Sequence, residues 1–366
     1  IYIAFACLIG GLQMRLLLLS ICFVLVSCNR KPRVYQINLD EEPEERWRKV
    51  VEDFKPYIPY LNQEIKNHFV YPFGQLLCWL CEKLALSFPQ EYYREMSGIA
   101  NLSGLEFCHV VGLNILYDVT NFNNFIGASQ FACSSIIAED AKGNILHGRN
   151  LDYMMDDLMR NISIIVDFTH NQKVVYSAIT FAFFAGITTG QRPNAFTLSL
   201  NARRTGWYIL NVLMQIYTSF HMPTGFALRQ TLERAESYQE ALEDLTKRHF
   251  VSPSYLILGG TKSGEGALIT RDRWSAYDVV ELDAKKGRFF IVETNFDHWN
   301  KDEDGRRTSA EQNLLAVGIE RLDESYMLAV LSTAPVTNYW TVTTSVMSAA
   351  RPQMYYETTM IRVPVE

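Results

Sequence analysis

The chain has 366 residues, with 34 Lys+Arg against 40 Asp+Glu and a formal net charge of −6. Apolar residues make up 48% and charged residues 20%, a balance that can bury a core and excludes a disordered chain. The acidic excess and the absence of any block of five or more Lys/Arg argue against nucleic acid as a partner, since phosphate contacts need a dense basic surface.

Residues 1–28 are nearly all apolar. From Met14 they read as a secretory signal, with Met14-Arg15 as the basic start, Leu16 to Val26 as the apolar core, and Ser27 and Cys28 at the cleavage zone. Residues 1–13 are then expected to lie upstream of the translation start. The alternative joins 1–28 into one membrane anchor, although Gln13 and Arg15 interrupt that run. No later stretch approaches a spanning length, so the mature chain is expected to be soluble. Secretion gives meaning to two N-glycosylation triplets, Asn101-Leu-Ser103 and Asn161-Ile-Ser163.

Residues 44–120 carry helix-type patterning over Glu44–Phe54, Tyr60–Phe88 and Pro89–Val119, divided by Pro and Gly at 56, 59, 72, 74 and 89. Of the seven cysteines, Cys7, Cys22 and Cys28 leave with the signal. Cys78-Trp-Leu-Cys81 has redox-motif spacing, but no second half of a zinc site accompanies it, and buried structural thiols are expected there. Spacing alone assigns no pairing to Cys78, Cys81 or Cys108.

From Cys133 onward the short apolar runs are strand-like: Cys133–Ala138, Asn144–His147, Ser163–Phe168, Lys173–Phe181, Phe196–Asn201, Ser254–Gly259, Gly266–Thr270 and Phe289–Thr294. Helical blocks at Trp207–Tyr217 and Phe226–Arg248 interrupt them, and Thr308–Glu324 reads as a further helix opened by a Thr308/Glu311 capping box. Strands in runs with helices grouped together predict an α+β fold of two stacked antiparallel sheets covered by helices. No phosphate-binding Gly loop occurs, because Gly259-Gly260-Thr261 lacks the spacing and the Lys.

The densest group of reactive residues runs from Cys133-Ser-Ser-Ile to His147-Gly-Arg-Asn-Leu-Asp152. A turn at Lys142-Gly143 brings residues 149–152 back beside residue 133, with Asp152 expected opposite Cys133. An arginine beside a cysteine stabilises the thiolate, its nucleophilic form. Period-two alternation places 149 and 152 on opposite faces, so a bulge near Gly148 is expected if both are to reach the thiol. Against this stands a plain buried cysteine on an apolar strand.

These strings, with Glu293-Thr-Asn-Phe-Asp-His-Trp299 and Arg306-Arg-Thr308, resemble the family of acid ceramidase and N-acylethanolamine-hydrolysing acid amidase. The resemblance covers nearly all the mature chain, from Ile37-Asn-Leu-Asp40 and Arg46-Trp47 through Ile257-Leu-Gly-Gly260 and Ile269-Thr-Arg-Asp-Arg273 to Val346-Met-Ser348. It implies an N-terminal-nucleophile hydrolase with an αββα sandwich. Such a protein is made as one chain and cuts itself between Ala132 and Cys133, dividing residues 29–132, a helical alpha subunit, from 133–366, the catalytic beta subunit. An α-amine that serves as base for its own thiol needs no cofactor and no metal.

The resemblance further implies roles for matching residues. Cys133 is the nucleophile, Arg149 polarises thiol and carbonyl, Asp152 holds the α-ammonium, Asn295 donates to the oxyanion, and Arg306 closes the site. Two arginines just before a helix N-terminus oppose its dipole, which independently marks Arg306 or Arg307. His298 is expected to be structural. Ala202, in Asn201-Ala-Arg203, and Gly305 stand where the relatives carry acids, which keeps open a secreted lipid-binding protein without turnover. The implied substrate is a fatty-acyl amide, ceramide or an N-acylethanolamine, with a slight lean to ceramide. The implied setting is an acidic lysosome or secretion, and the aromatic segment Tyr57–Phe88 is expected at a lipid surface or acyl channel.

Overall fold

The structure, a computed structural model, describes residues 31–68, 73–120, 132–153, 156–203, 222–352 and 357–359. The expected signal segment 1–28 and the helix expected at Trp207–Tyr217 lie outside these residues.

The N-terminal part begins with a strand, β1 (Arg33–Asn38), followed by helices α1 (Arg48–Phe54), α2 (Ile58–His68), α3 (Phe73–Ala85), α4 (Gln90–Ser103) and α5 (Phe107–Thr120). It is therefore not purely helical. β1 joins the sheet of the following part, running parallel to β4 (Ser163–His170) with Arg33 opposite Ile164, so one of the two sheets is mixed rather than antiparallel. Its alternating exposure fits an edge strand with one face on the core.

Cys133 opens β2 (Cys133–Glu139), which pairs with β3 (Ile145–Asp152) across a turn organised by Asp140, whose carboxylate accepts the Lys142 and Asn144 amides at 2.8 Å. A helix α6 (Asp156–Ile162) leads into β4, followed by β5 (Lys173–Phe181), β6 (Thr189–Arg192) and β7 (Phe196–Ala202). The expected helix at Phe226–Arg248 is two helices, α7 (Thr224–Arg234) and α8 (Tyr238–Lys247), because Ser237 takes extended backbone and caps the Glu240 amide. Then come β8 (Ser254–Gly259), β9 (Gly266–Arg271), β10 (Ala276–Glu281), β11 (Phe290–Glu293), helices α9 (Arg306–Val317) and α10 (Glu324–Leu331), β12 (Thr341–Met347) and β13 (Glu357–Thr359).

The strands form an eight-stranded sheet, β1-β4-β5-β6-β7-β8-β9-β10, and a five-stranded sheet, β11-β2-β3-β12-β13. The sheets meet face to face through residues such as Ile137, Ile145, Ile257 and Leu268. α9 and α10 cover the outer face of the smaller sheet through Leu314, Met327 and Leu331. The N-terminal helices and α7–α8 share one core with the larger sheet, including Trp47, Met96, Phe226 and Leu245. This is the expected helix–sheet–sheet–helix layering.

Buried charge ties the N-terminal helices to the larger sheet. Glu95 of α4, wholly buried, accepts from Arg46 at 2.8 Å, the Trp47 indole at 2.8 Å, and both terminal nitrogens of Arg229 at 2.6 and 2.8 Å. Arg229 lies 4.8 and 4.7 Å from the Tyr92 and Phe168 ring centres. Desolvation raises the Glu95 carboxyl, but Arg229, with Trp47 and Arg46, outweighs it and leaves Glu95 below its ordinary value. Cys78 and Cys108 are joined in a disulfide between α3 and α5, so Cys78 is not the expected thiol. Cys81 is a buried thiol, pushed up to about 12 by desolvation.

Candidate active site

Hydrogen-bond register decides which side chains share a face. Cys133 stands opposite Leu151 and Ser135 opposite Arg149, one residue out of the expected pairing of Cys133 with Asp152. The cause is the five-residue turn 140–144, which sets the register one step earlier. No bulge interrupts β2–β3 either. Gly148 is glycine because α10 packs there, where an added Cβ would come within 2.6 Å of Met327 Sδ.

Strand alternation then separates two sets. Cys133, Ser135, His147 and Arg149 face the larger sheet, and Ser134, Asn150 and Asp152 face α9 and α10. Both sets act on Cys133 without a bulge, one at its side chain and the other at its backbone.

On the inner side, wholly buried Arg149 donates to Cys133 Sγ at 3.1 Å, to Leu200 O at 2.7 Å and to Ser135 Oγ at 3.0 Å, and it also donates closely to Asn201 Oδ1. On the outer side, Arg306 donates to Cys133 O at 2.6 Å, Ser134 Oγ at 3.2 Å and Asn295 Oδ1 at 2.9 Å. Asp152 lies 3.9 Å from Arg306 and accepts from the Thr341 hydroxyl at 2.7 Å and the Asn338 amide at 2.8 Å. Burial pushes the Asp152 carboxyl above its ordinary value against the opposing pull of Arg306. Its own backbone N–H donates to Ala132 O at 2.9 Å.

Asn295 accepts the Cys133 amide at 2.7 Å and donates to Ala202 O at 2.9 Å. The donor aimed at the Ala132 carbonyl is therefore the Asp152 amide, while Asn295 holds the Cys133 nitrogen. The structure brings Cys133, Arg149, Asp152, Asn295 and Arg306 into one buried cluster beside Ala132.

Helix α9 begins at Arg306, two residues before the expected capping box, so the arginines lie in its first turn. Gly305 caps it with φ 73°, a left-handed conformation costly for an acid side chain. Asp304, one residue earlier, instead supplies a carboxylate 2.8 Å from Arg306. Arg307 points elsewhere, donating to the carbonyls of Phe296, Asp297 and Asn300 and so holding the loop after Asn295. His298 lies 3.3 Å from Asp278 on β10.

Asn201 and Arg203 both have duties of their own beside Ala202. Asn201 anchors Arg149, and Arg203 pairs with Asp297 at 2.7 Å, which also accepts the Tyr255 hydroxyl at 2.7 Å.

Sequence reasoning passed over Glu293, Ser135 and Tyr153. Glu293 lies opposite Ser135 in the sheet, wholly buried, and desolvation pushes its carboxyl up to about 8. Its signal was a lone acid ending an apolar strand beside Thr294-Asn295. Tyr153 follows Asp152 and lines a narrow apolar cavity with Leu61, Leu113, Met159, Phe181 and Phe183.

Comparison with known proteins fits a chemistry to this cluster. Residues 30–86 match the beta subunit of N-acylethanolamine-hydrolyzing acid amidase, and residues 133–322 match the linear amide C–N hydrolases of the choloylglycine hydrolase family. The chain belongs to the choloylglycine hydrolase family. It is 43% identical over 343 residues to the N-acylethanolamine-hydrolyzing acid amidase of Caenorhabditis elegans, covering 93% of this chain and 96% of that one. It is 35% identical over 337 residues to the rat protein of that name, with 91% and 90% covered. Identity to human acid ceramidase is 35% over 341 residues, with 87% and 84% covered. A solved structure of the Caenorhabditis elegans ortholog of the amidase matches with a TM-score of 0.59 and 46% identity, covering 63% of this chain and all of that one. The resemblance to the acid ceramidase and acid amidase group therefore holds, as does the N-terminal-nucleophile hydrolase fold. As a choloylglycine-family member the protein is an amidohydrolase of linear amide C–N bonds.

Proposed function

We propose that the chain cuts itself between Ala132 and Cys133 and then hydrolyses fatty-acyl amides in an acidic lumen, the lysosome or its secretory surroundings. The observation that carries this is the arrangement around one peptide bond. The Cys133 thiol is held by Arg149, and the Ala132 carbonyl next to it accepts from the Asp152 amide. Attack of the thiolate on that carbonyl places negative charge on the oxygen that the amide already contacts. The C–N bond then breaks, the nitrogen of Cys133 takes up a proton, and water hydrolyses the thioester to an Ala132 carboxylate and a free thiol. The new α-amine is left beside Asn295 Oδ1, where it can serve as base for its own thiol.

The same thiol would next attack a lipid amide, its acyl chain in the cavity lined by Tyr153, Phe181 and Leu113. That cavity lies between α2, α5 and the larger sheet, so both pieces of a cut chain form it. Tyr60, Leu76, Trp79 and Leu86 on and beside α2–α3 expose large apolar surface, which supports contact with a lipid aggregate. Among the described residues no helix is long and apolar enough to cross a membrane. Asn101 is exposed on α4 and Asn161 is half-buried at the end of α6, so a glycan is best accommodated at Asn101.

For the amine half, the sequence lean to ceramide stands against the higher identity to the Caenorhabditis elegans acid amidase. We take N-acylethanolamine and ceramide both as substrates. The test incubates the purified chain at about pH 4.5, sequences the larger fragment and measures fatty acid released from each lipid. Cleavage giving Cys-Ser-Ser-Ile, with release lost in Cys133→Ala, supports the reading. A different start, or lipid binding without release by the correctly cut protein, overturns it in favour of a lipid carrier.

A further inference from the structure

We propose that His147 is a positioning residue for this reaction, because through Ser199 and Ser135 it fixes the direction of the hydroxyl hydrogen bonds that hold Arg149 against Cys133. The inference rests on the amidase reading above. His147 is wholly buried between the sheets, and both ring nitrogens lie on hydroxyls, Nδ1 at 2.9 Å from Thr197 Oγ1 and Nε2 at 2.9 Å from Ser199 Oγ. Ile137, opposite it in the sheet, and Ile145, two residues before it on the same strand face, are buried and apolar. Packing alone would be served as well by a hydrocarbon side chain, since burying an imidazole costs its hydration.

A count of hydrogens sets the direction. Each hydroxyl has one hydrogen to give. Ser135 gives its hydrogen to Asn201 Oδ1 at 2.8 Å and accepts from Arg149. The Ser135–Ser199 contact of 3.0 Å must therefore run from Ser199 to Ser135. With its hydrogen spent, Ser199 must accept from His147 Nε2–H. Desolvation and the Arg149 charge push His147 down to about 3, so the ring carries only that one N–H; the Thr197 hydroxyl, which also lies 3.3 Å from Gly259 O, then gives its hydrogen to the nearer acceptor, the bare Nδ1 at 2.9 Å. The chain therefore runs Thr197 → His147 → Ser199 → Ser135 → Asn201 Oδ1, the oxygen that also receives Arg149. Without the imidazole, Ser199 is free to accept from Ser135 instead. That turns the Ser135 hydrogen away from Asn201 and loosens the guanidinium behind the thiol.

The experiment compares the processed parent enzyme with His147→Phe, His147→Gln, Ser199→Ala and the His147→Phe/Ser199→Ala double variant, on a fatty-acyl ethanolamide at acidic pH. Melting temperatures and the half-time of self-cleavage are measured beside kcat and KM. The Gln amide offers an N–H and a carbonyl in about the span of the two ring nitrogens. The expected result is a kcat lowered about 10- to 100-fold in His147→Phe at unchanged KM, most of it regained in His147→Gln. Ser199→Ala, which leaves the Ser135 hydrogen Asn201 as its acceptor, should keep kcat within about 3-fold of the parent, and the double variant should regain most of what His147→Phe loses. Parental kcat in His147→Phe, no regain in His147→Gln, or a double variant no better than His147→Phe would each overturn the proposal. Should His147→Phe fail to fold, Ser199→Ala, which removes one oxygen, decides alone, and a kcat lowered there by about 10-fold or more refutes the chain. A parent that releases no fatty acid refutes the amidase reading instead, and the same pattern read on the self-cleavage half-time then decides the role of His147.

Discussion

Glu293→Gln should flatten the dependence of stability on pH. Glu293 is wholly buried, its Oε1 accepts the Thr294 amide at 2.9 Å, and its Oε2 has no hydrogen-bond partner among the described residues. Burial moves its carboxyl from the ordinary 4.5 up to about 8, so the folded chain binds this proton more tightly than the unfolded chain. A carboxyl moved from 4.5 to about 8 corresponds to about 5 kcal/mol. Because the folded value is the higher one, that stability is fully present below about pH 4.5 and is lost as pH rises to about 8. A Cys133→Ala background keeps the chain in one piece, so that unfolding in urea is unimolecular at each pH. Asp118 and Asp152, also raised by burial, add the same slope to parent and variant alike. The difference between the two chains therefore isolates Glu293. Curves that stay parallel from about pH 4.5 to 8, to within about 1 kcal/mol, would show that the carboxyl is not held protonated and would refute the argument.

Arg229→Met strands the buried Glu95 carboxylate and should cost about 3–5 kcal/mol in urea unfolding; a loss below about 1 kcal/mol would mean that Arg46 and Trp47 suffice to hold Glu95. Because the Glu95 carboxyl is held below its ordinary 4.5, this ion pair should contribute fully above about pH 4.5 and fade only as pH falls further. Replacing Cys78 and Cys108 by alanine opens a loop with a sequence separation of 30 and should lower stability by about 3–4 kcal/mol, seen as a reduced melting temperature. Arg306→Met removes the donor to Cys133 O and Asn295, and should slow both self-cleavage and turnover by about 10²–10³-fold, read from gel time courses and fatty-acid release.

The site was more legible than the frame around it. Cys133, Arg149 and Asp152 stand in one hairpin, and short-range spacing brings them close whatever the rest of the chain does. The register was misjudged by one residue because the Asp140 carboxylate makes a five-residue turn, a detail that pattern reading cannot see. Arg306 could be separated from Arg307 only in three dimensions, since both lie in the first turn of α9 and differ by the direction each side chain takes. Glu293 escaped notice because its importance comes from burial, which a sequence does not display. The strands β1, β6, β10 and β12 were missed because their residues are polar or mixed; for β1 and β12 pairing partners remote in sequence override weak local preference, and β6 and β10 are short hairpin partners of the strands next to them. The Cys78–Cys108 bridge was missed for a similar reason, since it joins two helices whose packing is long-range.

The parallel pairing of β1 with β4 bears on how such an enzyme ages. A cut after Ala132 would leave the edge of the larger sheet built from two separate polypeptides, with Ile37 opposite Phe168 and the Leu39 amide on Thr169 O at 2.8 Å. Removing the smaller piece would bare the backbone of β4, an open edge that invites pairing with other strands. Reassembly would require two chains to meet rather than one to fold, so its rate would depend on concentration. The cut molecule would then be held together by the height of its unfolding barrier, and once denatured it would aggregate faster than it recovered. Activation of this kind is a one-way step, taken while the chain still has a single route to its native state.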